Sequence, residues 1–452
     1  MEQRTQLKKD IGLFIATALV AGNIMGSGIF MLPATLAQKS GPGASMIAWI
    51  LTGLGSIFLA LSFANLGSKI PKTGGPYEYS KVAFGDFVGF MNAWLYWNGS
   101  WIGNAAVVIA VASYVGSLFP VISENHLAGF VFTSAVLWIF TIINILGVRV
   151  AGKVQTAITA FEIVLLLFFV IAAAVHFNVA NITPLFPAGK GTETISAAAA
   201  STLWAFLGLE SASIAAGEIK NPEKNVKRST ILGILISTFM YFAINFFAMG
   251  AMPQDKLANS KAPIADILSG YFGSGMATVI TVGAIISILG TTIGWLLSTA
   301  RLAYAAGEDA IFPEIFAKVH PKFKTPYMSL IIGSILVNVM LLMNYTKSLN
   351  AAFNFVTLLA TLSYLPVYAM TAASDVLLHI QGVKKLNLWS FIKSSFVPLL
   401  GFIYAAWTIY GSGAETVMYG CLMMLAGIPF YLYMNFKNKM KNHSLLDEKK
   451  IA

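Results

Sequence analysis

The sequence predicts an all-α membrane protein of about twelve transmembrane helices, and three observations carry that prediction. Of its 452 residues 57% are hydrophobic and only 11% charged, against roughly 25% charged in a soluble domain, so lipid is the solvent for most of the surface. The basic residues fall in alternate loops. Two of the hydrophobic runs are broken near their middles, at Asn23-Ile-Met-Gly-Ser-Gly-Ile29 and at Trp204-Ala-Phe-Leu-Gly-Leu-Glu-Ser211.

Residues 1–10 are polar and basic, with Arg4, Lys8 and Lys9. The apolar run that follows outlasts a signal-peptide core and shows no clear cleavage site, so it reads as a retained first span, 11–37. Spans two to five follow at 44–68, 87–117, 127–148 and 152–176, and a polar loop with Gly74-Gly75-Pro76-Tyr77 separates the second from the third. That loop reads as a turn with a gate contact. An outer loop, 177–194, leads to span six at 195–217, a charged loop at 218–228 and span seven at 229–252. A short helix is expected within 253–274. Spans eight to twelve lie at 275–303, 327–346, 350–377, 394–411 and 416–436, and 437–452 is a basic tail suited to anionic lipid.

An even number of spans puts both chain ends on one side. Of the 29 Lys and Arg residues, 24 fall in the tails and the loops of that side. The opposite loops hold five: Lys39, Lys190, Lys256, Lys261 and Lys347. The asymmetry places both ends in the cytoplasm. It also accounts for the net charge of +10 without nucleic acid, since the charge is not gathered on one segment. The single cysteine, Cys421, sits in an apolar run and supports neither a disulfide framework nor a metal site. The five histidines form no ligand pair, and the chain holds no P-loop and no GxSxG. No cofactor and no catalytic set are expected, and a channel or nutrient sensor is a weaker reading than a carrier.

The breaks carry the functional argument. Inside lipid a helix satisfies its own polar backbone, so an interrupted one persists only where the loose groups line a cavity or meet a ligand. Matched interruptions in the first helix of two five-span halves mark an inverted-repeat transporter. Amides at Ser27–Ile29 begin the second half of span one and suit a carboxylate. Carbonyls near Trp204–Phe206 end the first half of span six and suit an ammonium. Together they describe a grip on an α-amino acid. Packing by small residues alone does not explain the neighbouring Glu210.

Gly22-Asn-Ile-Met-Gly-Ser-Gly-Ile29, Leu95-Tyr-Trp97, Trp101-Ile-Gly-Asn104, Leu203-Trp-Ala-Phe-Leu-Gly-Leu-Glu-Ser-Ala212, Asn221-Pro222 and Gly294-Trp295 together resemble the amino acid–polyamine–organocation superfamily. The match is to its bacterial basic amino acid/polyamine antiporter branch, over nearly the whole chain. The resemblance implies a LeuT-type fold: two inverted repeats, 11–176 and 177–380, with helices one and six broken, then two added helices in 381–436. It also implies alternating access in a bacterial inner membrane, amino-acid and amine substrates, and either a monomer or a homodimer, since relatives occur as both. Carried over by position, Ile24, Gly26, Ser27 and Gly28 hold the substrate backbone. Trp204 stacks on the side chain, with Ala205 and Leu207 beside it. Gly99, Ser100 and Asn104 line the side-chain end, Trp295 closes the cytoplasmic side, and Tyr96 and Glu210 serve gating or proton sensing. Two positions depart from the family's pattern. Leu359 stands where the arginine exchanger has a small polar residue, and Asn98 and Ser100 differ in span three.

Glu210 and Glu162 are carboxylates deep in apolar runs, where an ionisable group costs about 2.5–3.5 kcal/mol to insert and is a functional candidate. In several relatives the Glu162 position carries a lysine beside span one. Here it carries a proton, pairs with a cation, helps form a sodium site, or merely bonds polar groups of a neighbouring span. Trp97 and Trp101 read as packing. The resulting expectation is a secondary transporter exchanging a basic amino acid for its decarboxylated amine. The alternative is a neutral amino-acid exchanger or proton symporter.

Overall fold

Span one is two helices in the computed structural model, which describes residues 9–260, 262–344, 349–382 and 387–451. Arg4, Lys8, Lys261 and Lys347, which enter the loop count above, lie outside the described residues. Helix α1 (Leu13–Ile24) stops at Met25-Gly26, and α2 (Ser27–Lys39) resumes beyond them. Then come α3 (Pro42–Lys69), α4 (Pro76–Phe84), α5 (Asp86–Leu118), α6 (Pro120–Glu124), α7 (His126–Ile145) and α8 (Val148–Val175). Proline opens α3, α4 and α6, where its fixed φ suits a helix start and its missing N–H has no partner to lose. Asn125 caps α7, its Oδ1 accepting from Leu127 and Ala128 amides at 3.0 Å each.

Span six is also divided. α9 (Ile195–Leu203) runs into a 3-10 turn, Trp204–Phe206, and a single helical turn, α10 (Ser211–Ile214), follows the break. After α11 (Pro222–Ala251) the loop in which one short helix was expected holds two, α12 (Gln254–Asn259) and α13 (Pro263–Phe272). The remainder is α14 (Ser274–Glu308), α15 (Tyr327–Asn344), α16 (Leu349–Gly382), α17 (Leu388–Gly411) and α18 (Ala414–Ile451). The basic tail continues α18 as helix; no Gly or Pro follows Pro429 to stop it.

Ten helical stretches among the described residues are long and apolar enough to cross a membrane, counting each broken span as one, and α15 adds a shorter apolar stretch, Tyr327–Met343. Burial sorts them. The apolar window of Leu13–Lys39 is 76% buried and that of Val417–Lys441 only 11%, so the broken span lies at the centre and α18 at the lipid-facing edge. α1 packs against α8, α11 and α14, while α5 packs against α14 and α16.

The two faces of the bundle differ. On the face of Ile11 the chain is laced shut. Ile11 N–H donates to Glu218 O at 3.0 Å, and Lys220 N–H donates to Ile11 O at 2.8 Å. The Glu218 carboxylate is fully buried against Arg301, with Nε to Oε2 at 2.8 Å and Nη2 to Oε1 at 3.2 Å. The glycine loop ahead of α4 meets α10, Gly74 N–H donating to Ile214 O at 3.1 Å. Tyr77 Oη donates to Asp309 Oδ2 at 2.6 Å, and Lys81 pairs with the same oxygen. On the opposite face, that of Lys39, a cavity of about 380 Å³ runs inward between α2, α9, α16 and α17.

Candidate functional site

The break in span one leaves carbonyls that α1 can no longer satisfy, and side chains from two other helices take them. Thr291 Oγ1 donates to Gly22 O at 3.0 Å, Trp295 Nε1 to Asn23 O at 3.0 Å and Tyr241 Oη to Ile24 O at 2.7 Å. Beyond Gly26, α2 begins without a side-chain cap, and Ile29 N–H reaches back to Gly26 O at 3.2 Å. The amides of Ser27 and Gly28 are thus those that a helix start leaves open to a ligand.

The break in span six is built differently. Leu207 N–H donates to Trp204 O at 3.3 Å, Leu207 turns extended, and Gly208 adopts φ +108°, a conformation that a side chain would strain. A Cβ on Gly208 would also lie 2.8 Å from Asn23 Cβ, so the two breaks touch here. Asn23 Nδ2 donates to Ser211 Oγ at 2.6 Å, tying the breaks together. Gly294 allows the third approach, since its Cβ would fall 1.8 Å from Asn23 Oδ1.

Glu210, wholly buried, is held by two phenols. Tyr96 Oη on α5 donates to Oε1 and Tyr368 Oη on α16 to Oε2, each at 2.6 Å. Ser100 hydrogen-bonds Tyr364 at 2.8 Å, and Tyr96 and Tyr364 meet edge to face. The carboxylate therefore joins span six to two unbroken helices.

Two spaces meet at Trp204. One is the large vestibule. The other is a void of about 10 Å³ between the breaks, lined by Asn23, Ile24, Gly26, Gly28, Val107, Trp204, Ala205, Thr291 and Trp295; that is room for about one water. Trp204 and Gly28 line both, so they form the neck. The Trp204 and Trp295 rings lie 5.5 Å apart, centroid to centroid.

Of the residues singled out in the sequence, Ile24, Gly26, Gly28, Trp204, Ala205 and Trp295 thus converge on the void, with the Ser27 backbone between the two glycines. Leu207 is buried at the bend outside its lining. Gly99, Ser100 and Asn104 stand behind it. Gly99 packs against Ser363 and Tyr364, and Asn104 Nδ2 donates to Ser100 O at 2.9 Å and Thr299 Oγ1 at 3.0 Å. Leu359 lines neither space; the polar residues that α16 presents to the vestibule are Thr357 and Thr361. Glu162 is buried on α8 and its Oε1 has no hydrogen-bond partner among the described residues. The α8 residues that meet α1 beside the break are Gln155 and Thr159, at Gly22.

Sequence reasoning missed Val107, Thr291, Tyr368 and Lys39. Thr291 lies one helical turn before Trp295 and Val107 about one turn past Asn104, so helical periodicity offered a signal for both. Nothing local marked Tyr368.

Residues 11–432 match the amino acid permease family. Similar proteins include arginine/agmatine antiporters of Chlamydia pneumoniae, 31% identical over 97% of this chain and 93% of the relative, and of Chlamydia abortus, 30% identical over 94% and 90%. An arginine/ornithine antiporter of Pseudomonas aeruginosa is 29% identical over 94% and 91%. The chain belongs to the amino acid permease family and is a multi-pass membrane protein.

Proposed function

We propose that this amino acid permease is an antiporter that exchanges a basic amino acid for its decarboxylated amine, or for another basic amino acid, by alternating access. The observation that carries the reading is the neck. Trp204 and Gly28 border both an open vestibule and a void gripped by two broken helices, while the far face is closed by Ile11, Glu218 and Arg301. The α-carboxylate sits on the Ser27 and Gly28 amides, and the α-ammonium faces the carbonyls of the Trp204–Phe206 turn. The cationic side chain lies against Trp204 and Trp295, whose faces attract it by roughly 2 kcal/mol once dry. A void of about 10 Å³ admits no amino acid, so Trp204 swings aside to load the site. Glu210, with Tyr96 and Tyr368, transmits that movement to α5 and α16.

In this reading the spans form two inverted repeats, 11–176 and 177–380, followed by two further helices. The Lys and Arg asymmetry sets the Ile11 face in the cytoplasm and opens the vestibule outward across a bacterial inner membrane. Glu162, apart from the void, is a candidate for carrying a proton. Exchange of neutral amino acids is the second reading, favoured by one observation: among the described residues no Asp or Glu lines the void or the vestibule.

Proteoliposomes loaded with unlabelled arginine, ornithine, agmatine or alanine decide between them. Labelled arginine is expected to accumulate against internal arginine, ornithine or agmatine and not against alanine. Exchange of alanine without the amines establishes the neutral reading instead.

A further inference from the structure

We propose that Lys39 is a charge filter in the vestibule, favouring amino acids, which bring a carboxylate, over the dications that decarboxylation makes of them. This rests on the antiporter reading above. Lys39 is the last residue of α2, eleven residues beyond Gly28 and therefore about 16 Å further along the helix axis. Its side chain is exposed and leans across the vestibule toward α9. Nζ donates to Ser201 Oγ at 3.3 Å, and Ser201 precedes Trp204 on α9 by less than one helical turn. The ammonium thus lies in the vestibule, about one helical turn outward of Trp204.

Three observations make it a filter and not a helix-end ornament. A lysine at a helix C-terminus ordinarily serves the carbonyl end of the dipole, but Lys190 fills that place, its Nζ donating to Ala37 O at 2.8 Å. Among the described residues, Lys39 is the only charged one lining the vestibule, and no carboxylate pairs with it there. The walls around it include Met31, Leu32, Ala197 and Ala200, and low-dielectric walls focus the field of a charge within a cleft. A basic amino acid approaching from this side carries net charge +1 and leads with a carboxylate that the ammonium attracts toward Gly28. Agmatine or putrescine carries +2 and offers only repulsion. The amine discharged on this face is thus kept from rebinding.

At the short separations of the neck one unit of charge is worth about a 3–10-fold preference. The test uses right-side-out vesicles loaded with arginine, so that only the outer face is sampled, and compares the external KM for arginine and for agmatine. Lys39→Gln is expected to lower the agmatine-to-arginine KM ratio about 3–10-fold and Lys39→Glu further, with Lys39→Arg unchanged. High salt should shrink the differences. Arginine homoexchange by each variant reports that it is folded. Normal arginine exchange with an unmoved ratio in both variants overturns the filter alone. No arginine or agmatine exchange by the wild type overturns the antiporter reading and the filter with it.

Discussion

The two breaks solve one problem in two ways. In span one the freed carbonyls of Gly22, Asn23 and Ile24 are each taken by a donor from α11 or α14, which leaves the amides that open α2 without a side-chain partner. In span six the break brings its own carboxylate, and Glu210 is shared between phenols from α5 and α16. The first arrangement spreads over three neutral donors and tolerates the loss of one. The second concentrates on one charged group, whose two partners sit on different helices, so any shift of span six against them must break a bond. Span one is thus satisfied piecemeal by its neighbours where it breaks, whereas span six is latched to two helices through one carboxylate.

The substitutions that test this contrast fall in a clear order. Gly208→Val should have the largest effect, because positive φ and the approach of Asn23 are both lost, at about 3 kcal/mol or more. It should abolish exchange and reduce the melting temperature in detergent, and a stable, active Gly208→Val would remove the claim that the breaks touch. Glu210→Gln follows: hydrogen bonds to a charged group are worth about 1.5–3 kcal/mol, so exchange should slow about 10–100-fold with arginine binding largely kept. Tyr96→Phe and Tyr368→Phe should each reproduce part of that loss, and a double-mutant cycle should show coupling through Glu210. If span six is no latch, the two will add independently. Tyr241→Phe, at the span-one break, removes one neutral bond worth about 1 kcal/mol, so exchange should fall no more than about 5-fold.

Asp309→Asn, on the closed face, supplies the low end of the scale. Burial alone raises the Asp309 carboxyl, but the Lys81 ammonium and the Tyr77 hydroxyl bring it below its ordinary value. Its stabilisation is therefore present above the unfolded carboxyl range, near pH 4, and is lost as pH falls through the lowered value. A half-exposed pair of this kind is worth about 1 kcal/mol at most. Thermal melts of Asp309→Asn and wild type should differ slightly at pH 7 and converge in acid.

Much of this was legible in the chain. Composition, the Lys and Arg alternation and the two Gly-interrupted runs identified a membrane-embedded helical carrier and the stretches that line its void. Each is a local property: a residue type's preference for lipid, the need of a spanning backbone to satisfy itself, and a glycine where a helix must stop. Along α5 it is Val107 that lines the void, while Asn104, expected at the side-chain end of the substrate, is bonded to Ser100 and Thr299 about a turn away. Periodicity names a face of a helix but not the depth at which a neighbour meets it. Which partners meet was decided by tertiary structure alone. Asn23 finds Ser211 188 residues away, Trp295 reaches Asn23 across 272, and Tyr368 reaches Glu210 across 158. Packing brings those groups together; it also carries the Lys39 ammonium of α2 to Ser201 of α9, because hydrogen-bond geometry depends on how helices lie against one another and no local pattern encodes that.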